Sequence, residues 1–288
     1  MKFGLRYCNI GRYTDPANAV ELLQAGEEAG FESAWTVEHT VIPAGYESTY
    51  PYSPSGRMSP RDDFPIPDPL IWLSYVAAAT TRIRLATGIL ILPQHNPVII
   101  AKQVATLDCL SGGRMLLGIG VGWLKEEFDT IGAPFAGRGE RTDEYIAAMR
   151  ALWSMEMPSF HGRYVNFDQT YCLPQPPKGT VPIIIGGHSK AAARRAGRLG
   201  DGFFPARGTP EDLIELARQS AQEIGRDPDA MEITASAPED LEDLQRLAAL
   251  GVSRVLVPVS PMPGMTVAIQ TPEDALAWKS RIEEYADL

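Results

Sequence analysis

Hydrophobic positions along this chain follow two periods in turn. Residues 2–9, KFGLRYCN, alternate with a period of two, the spacing of a strand with one buried face. Asp15-Pro16 then sets a capping side chain and a first-turn proline before a helical segment, and Gly30 supplies the stop. The same order of events recurs. Strands are predicted at 33–39, 83–92 and 114–122, separated by helices at 68–81 and 96–113. A long helix at 139–154 carries Tyr145, Met149, Leu152 and Trp153 at helical spacing. Beyond it, strands at 181–187, 201–206, 232–236 and 253–259 alternate with helices at 189–200, from Thr209 onward, at 238–250 and at 272–286. Helix starts reuse one device. TPED at 209–212 and 271–274, and PED at 238–240, put proline and acids where free first-turn N–H groups favour them.

Eight strands in strict alternation with eight helices mean a parallel sheet, and the count predicts an α/β fold of the closed (β/α)8 TIM-barrel type. A doubly wound open sheet is the alternative that shares this alternation. No linker or low-complexity stretch divides the 288 residues, so one domain over 1–288 is expected. Residues 41–69, VIPAGYESTYPYSPSGRMSPRDDFPIPDP, break the rhythm: they are rich in proline and have no helical period. A loop that long after the second strand falls on the C-terminal face of a barrel, where barrel enzymes keep their sites. FHGRYVNFD, 160–168, is predicted to be a short hairpin insertion on the same face.

Composition narrows the function classes. A formal net charge of -10 argues against non-specific nucleic-acid binding and against an anionic membrane surface. Cys8, Cys109 and Cys172 lie far apart without metal-ligand spacing, which points to reduced thiols and to no metal centre. The N-terminus does not read as a signal peptide and no apolar run has the length of a membrane span, so a soluble, cytoplasmic protein is expected.

The predicted strand ends gather the polar candidates: Asn9, Glu38 and His39, Thr87 and Gly88, Gly120 and Gly122, and Gly186, Gly187 and His188. In IIIGGHSKAAARRAG an apolar strand, two glycines and Ser189 open an Ala-rich helix, whose first N–H groups would face an anion. The order of a triphosphate-binding P-loop is missing. LLGIGVGWLKEE, residues 116–127, is not a dinucleotide fingerprint either, because Trp123 stands where that motif continues and no acid ends a further strand about 20 residues on. Its alternating glycines instead leave one face of a strand flat, a seat for a planar ring.

ESAWTVEHTVIP, the block RIRLATGILILPQHNPVIIAKQVATLDCLSGGRMLLGIGVGWLKEEF, RGERTDEYIAAMRALW, FHGRYVNF and PIIIGGHSKAAARRAGRLGDGFF together resemble the bacterial luciferase-like superfamily of flavin and deazaflavin oxidoreductases. The resemblance spans nearly the whole chain and is greatest to the branch using coenzyme F420, a 5-deazaflavin; FMN is the alternative cofactor. It implies that His39 lies by the reactive ring with Glu38 orienting it. It implies a bulge with a non-proline cis peptide at Gly88–Ile89, beside Thr87, behind the ring. Gly120, Gly122 and Trp123 would flank the ring, and Gly186, Gly187, His188 and Ser189 would hold the phosphate. Asn9, Trp35, His95, Asn96 and Phe204 would border the substrate, and Arg57, Arg61 and Arg207 would answer the acidic tail of the coenzyme.

The sugar-phosphate dehydrogenases of that branch carry a catalytic Glu at the position of Trp123. Tryptophan cannot exchange a proton with substrate, so the expected substrate is a small alcohol, carbonyl or activated alkene in a more apolar, aromatic-lined pocket. An FMN-dependent monooxygenase and a ligand-binding barrel that has lost its cofactor are the rival expectations, and a homodimer is the expected assembly.

Overall fold

The computed structural model describes the chain except for residues 59–61, 64, 206, 207, 209, 261–266 and 268. β1 (Lys2–Arg6) leads into α1 (Pro16–Ala29), capped by the Asp15 carboxylate on Asn18 N and closed by Gly30 at φ 97°. β2 (Ser33–Thr36) and α2 (Pro69–Ala77) bracket the long loop. β3 (Arg84–Thr87) and β4 (Leu90–Ile91) are two halves of one interrupted strand, followed by α3 (Pro97–Leu110) and β5 (Met115–Gly120). A short α4 (Lys125–Thr130) precedes the long α5 (Arg138–Ser154) and the hairpin β6 (Phe160–His161) and β7 (Asn166–Phe167). The remaining units are β8 (Ile183–Gly186), α6 (Lys190–Leu199), β9 (Gly202–Phe204), α7 (Glu211–Gln222), β10 (Glu232–Ser236), α8 (Leu244–Ala249) and β11 (Val252–Pro258), and the final helix is split into α9 (Pro272–Leu276) and α10 (Lys279–Glu284).

Every neighbouring pair of the large sheet is parallel, β1 pairs with both β2 and β11, and β3 pairs with β5. These pairings close the ring, so the architecture is a (β/α)8 barrel and the open doubly wound alternative is excluded. One detail was not anticipated: α4 is too short to show a helical stripe of its own. The predicted strand 83–92 breaks at residues 88 and 89, where the Gly88–Ile89 peptide bond is cis, as the family resemblance implied.

The core has two parts. A large outer cluster lies between the strands and the helices, and a small inner one fills the barrel with Trp35, Ala86, Leu116, Ile184, Phe204 and Leu256. Below this inner layer Arg254 is fully buried. Its Nε and Nη2 donate to the two Glu32 oxygens at 2.8 and 2.9 Å, and Nη2 and Nη1 also reach Glu232 and Thr234. A buried guanidinium needs such full pairing to offset its lost hydration. The charged cluster plugs the lower end, leaving the upper mouth for the site.

Gly118 shows how tight the wall is. A Cβ built there would meet the Thr87 carbonyl oxygen at 1.9 Å, backbone that cannot rotate away. Gly118→Ala is therefore expected to lower unfolding stability by about 1–3 kcal/mol, the usual cost of overpacking. Urea unfolding checks this; a loss below about 0.5 kcal/mol would mean that the bulge yields freely.

Candidate active site

The strand ends on the C-terminal face surround a cavity of about 1330 Å3. Its floor is built by the interrupted strand. Gly120 and Gly186 leave a hollow that the Ile89 side chain enters, so that a Cβ at either glycine would come within 2.6 or 2.4 Å of it. Thr87 lies behind, fully buried, its hydroxyl donating to the Gly118 carbonyl at 2.6 Å. The flat glycine face is thus used differently from the expectation. It receives the bulge of the neighbouring strand, and the backbone and side chain of Gly88 and Ile89 in turn face the cavity.

At one end of this floor the β8–α6 turn presents Gly186, Gly187, His188 and Ser189 to the cavity. Ser189 caps α6 by accepting from Ala192 N at 3.2 Å, and Ala191 and Ala192 line the cavity beside it, so the N-terminus of α6 borders the opening. Gly187, at φ 136°, packs so near Ala192 that a Cβ would lie 3.0 Å away. The start of α5 meets the same corner with Arg138, and α6 itself adds Arg195. Arg138 donates to the carbonyls of Gly122 and Phe135 and has no carboxylate partner among the described residues. Arg195 is held by Asp143 and by the Gly139 carbonyl. These two bases were missed from sequence, where Arg195 reads as one of several surface charges on α6. Of the bases nominated instead, Arg57 is spent on Asp62 and on the Tyr46 ring within the long loop, away from the cavity, and Arg61 and Arg207 lie outside the described residues.

His39 borders the cavity at the other side. Its Nδ1 donates to Glu127 Oε2 at 2.9 Å, while Glu127 Oε1 accepts from Thr40 N at 2.6 Å and Val41 N at 3.3 Å. Glu127 is fully buried, so this carboxylate fixes the ring and directs Nε2 to the opening. Glu38 does not orient His39, contrary to expectation. Successive side chains of an extended segment point to opposite sides, and Glu38 turns to Ile91 N and, at 2.8 Å, to His95 Nε2. The orienting acid sits 88 positions away on α4, a helix the hydrophobic pattern did not reveal.

Trp123 closes the aromatic wall. Its ring meets His39 at 5.9 Å, Tyr46 at 5.4 Å and Tyr50 at 5.1 Å between centroids. Glu126, beside Glu127, accepts from Glu47 N, Ser48 N and Ser48 Oγ, and the Ser48 hydroxyl with those amides holds its carboxyl down to about 2. The two acids of α4 therefore fasten the long loop and the histidine to one short helix.

Several nominated substrate contacts lie elsewhere. Trp35 is wholly buried in the inner core, Nε1 on Ser33 Oγ, with its ring beneath Gly88. Asn9 is equally buried and ties Val37 to Pro67 through three hydrogen bonds. Asn96 caps α3, and with His95 it borders a separate cavity of about 290 Å3. Phe204 does reach the main cavity, its ring edge-on to Trp35.

The His95–Glu38 pair makes stability depend on pH. Burial alone would lower the imidazole, but the Glu38 hydrogen bond and charge outweigh it and raise it above its ordinary value of 6.5. A folded-state value raised in this way contributes stability that is complete below the unfolded value and lost as pH climbs through the folded one. The excess stability of the native protein over His95→Gln should thus shrink by on the order of 1 kcal/mol between pH 5.5 and 9. Denaturant titrations at both values measure it, and a constant or growing difference contradicts the pairing.

The family profile described as "Luciferase-like monooxygenase" matches residues 5–243. An uncharacterized protein of Mycobacterium tuberculosis is 32% identical over 257 residues, covering 88% of each chain. An F420-dependent glucose-6-phosphate dehydrogenase of Kineococcus radiotolerans is 32% identical over 230 residues, 76% of this chain and 62% of that protein. Among solved structures, an F420-dependent secondary alcohol dehydrogenase in complex with an F420–acetone adduct superposes with TM-score 0.76 at 20% identity over 97% of both chains. Other structures of the same fold are named as monooxygenases. With a profile matching most of the barrel and its mouth, the chain belongs to the luciferase-like monooxygenase family.

Proposed function

We propose that this protein is an F420-dependent oxidoreductase that moves a hydride between the deazaflavin and a small organic substrate. The observation that carries this reading is the arrangement within one cavity. A helix N-terminus and Arg138, which has no carboxylate partner among the described residues, form an anion corner, a rigid floor runs from Ile89 to Gly122, and a carboxylate-held histidine faces it. Those residues fit a phosphate-bearing, planar coenzyme, and the relatives named for F420 support the choice of deazaflavin.

When bound, the deazaflavin supplies two-electron hydride chemistry at its C5. The chain's own residues do the rest. The first turn of α6 and Arg138 bind the phosphate and neighbouring anionic groups. Ile89, backed by Gly120 and Gly186, supports the ring. His39 handles the proton that accompanies the hydride, giving it to a carbonyl oxygen during reduction or taking it from a hydroxyl during oxidation. Glu127 keeps Nδ1 protonated and so leaves Nε2 for that exchange. Trp123, Tyr50 and Tyr52 exclude water and favour an organic substrate over a sugar phosphate.

The rival reading of a barrel that has lost its cofactor predicts an obstructed cavity, with Trp123 as the obstruction. Trp123 packs sideways against Tyr46 and Tyr50 and the cavity stays open past it. Titration of the purified protein with F420 and with FMN separates the other rival. Saturable F420 binding is expected, and tight FMN binding with no affinity for F420 would overturn the proposal. For the histidine, His39→Ala should cost roughly tenfold or more in turnover with F420 binding retained, the loss expected of a general acid or base. Turnover equal to the native enzyme would remove His39 from that role.

A further inference from the structure

Arg6 ends β1 beneath the cavity mouth and is only 6% exposed. Other buried arginines here are differently placed. Arg254 and Arg195 each bind a carboxylate. Arg114 and Arg141, with no carboxylate among the described residues, lie away from the cavity and donate to several acceptors, four backbone carbonyls and Thr80 Oγ1 for Arg114 and three backbone carbonyls for Arg141. Among the described residues Arg6 has no carboxylate and a single hydrogen-bond acceptor. Its Nη1 donates to Ser236 Oγ at 3.0 Å, and its Nε, also buried, has no partner. The guanidinium lies 4.5 Å from the centre of the Tyr7 ring and 4.9 Å from that of Phe204. Ring faces attract a cation but carry no charge to neutralise it. A buried, permanently charged group with neither a counter-ion nor acceptors for most of its N–H groups is costly, and an anion entering the cavity would relieve that cost.

The surroundings suit an oxyanion. Tyr7, Tyr50 and Tyr52 face the same cavity as Arg6 and Ser236. Burial pushes all three phenols up, partly countered by the Arg6 charge, so they stay protonated and able to donate. Tyr7 is held at φ 68°, a left-handed conformation rare for an aromatic residue and found where surroundings over-determine the chain. Tyr50 also touches Trp123, which touches His39, so this pocket and the proposed proton donor share one aromatic wall. The anion corner at α6, in contrast, has its own helix N-terminus and Arg138.

We propose that Arg6 anchors a carboxylate of the substrate, making the molecule reduced or oxidised in this cavity a small organic acid. The planar fork of arginine matches a carboxylate in two parallel hydrogen bonds, and the protonated phenols that line the same cavity can donate to its remaining lone pairs. This rests on reading the cavity as a hydride-transfer site; the alternative source of the same oxyanion is an acidic group of the coenzyme.

Calorimetric titration separates the two. Acetate, butyrate and benzoate are each compared with the corresponding amide on the F420-loaded protein and on Arg6→Met and Arg6→Lys, with F420 affinity measured on all three. At least one acid should bind the native protein about tenfold more tightly than its amide, as expected for a lost charge-assisted pair. The preference should vanish in Arg6→Met and return in part in Arg6→Lys, with F420 affinity unchanged. No acid preference in the native protein, or one that survives in Arg6→Met, overturns the proposal. A tenfold loss of F420 affinity in Arg6→Met with acid preference intact assigns the cation to the coenzyme instead. Melting curves identify any variant that fails to fold, and Arg6→Lys then carries the comparison. Should the native protein take up no F420, the cofactor reading fails on its own, while the acid–amide comparison on the unloaded protein still reads Arg6.

Discussion

The site depends on one steric fit: the Ile89 side chain lodged in the hollow that Gly120 and Gly186 leave between neighbouring strands. A side chain at either glycine would collide with it, and a side chain at Gly118 would collide with the Thr87 carbonyl behind it. Three bare backbone positions on two strands therefore receive the break in a third. That break converts a strand edge into a cavity floor, because Gly88 and Ile89 leave the barrel wall there and face the opening. Trp35 completes the support from below, its ring against the space where a Gly88 side chain would be. The inner core and the floor are in this sense one packed body, and the interior rigidity of close-packed side chains is passed to the mouth.

Above the floor, control passes to α4. Two adjacent carboxylates on a helix of one and a half turns do different things. Glu127 points inward to His39 and the chain entering the loop, and Glu126 points outward to Glu47 and Ser48. The histidine and the aromatic cover are thus positioned from the same place. A displacement of α4 would move both together, so the geometry between His39 and the cavity cover is preserved as a unit.

The barrel was legible because its signals are local and repeated. Asp15-Pro16, Asn96-Pro97 and the Thr271 capping box start helices from within a few residues, and period-two segments name the strands. The β8–α6 turn was legible for the same reason, being a strand, a glycine pair and a cap in sequence. What failed to show was everything decided by long-range pairing. Glu38 stands next to His39 in the chain, yet strand geometry turns it to His95, and the true partner comes from α4. Trp35 and Asn9 stand at strand ends among polar candidates, yet one fills the barrel and the other binds only backbone. The glycines of LLGIGVGW were rightly singled out as bare backbone, but what occupies that space is the neighbouring strand. Arg6 carried no signal at all, since an arginine in a strand is unremarkable until it is seen to have no carboxylate partner among the described residues.

The way the long loop is tied down has a consequence for how such a protein diversifies. Glu126 and Glu127 grip it almost wholly through backbone amides, those of Thr40, Val41, Glu47 and Ser48. An amide is the same whatever side chain follows it, proline excepted. Tyr46, Tyr50 and Tyr52 can therefore be exchanged over generations without releasing the anchor, and the cavity lining of a descendant can drift while the floor and His39 beneath are inherited intact.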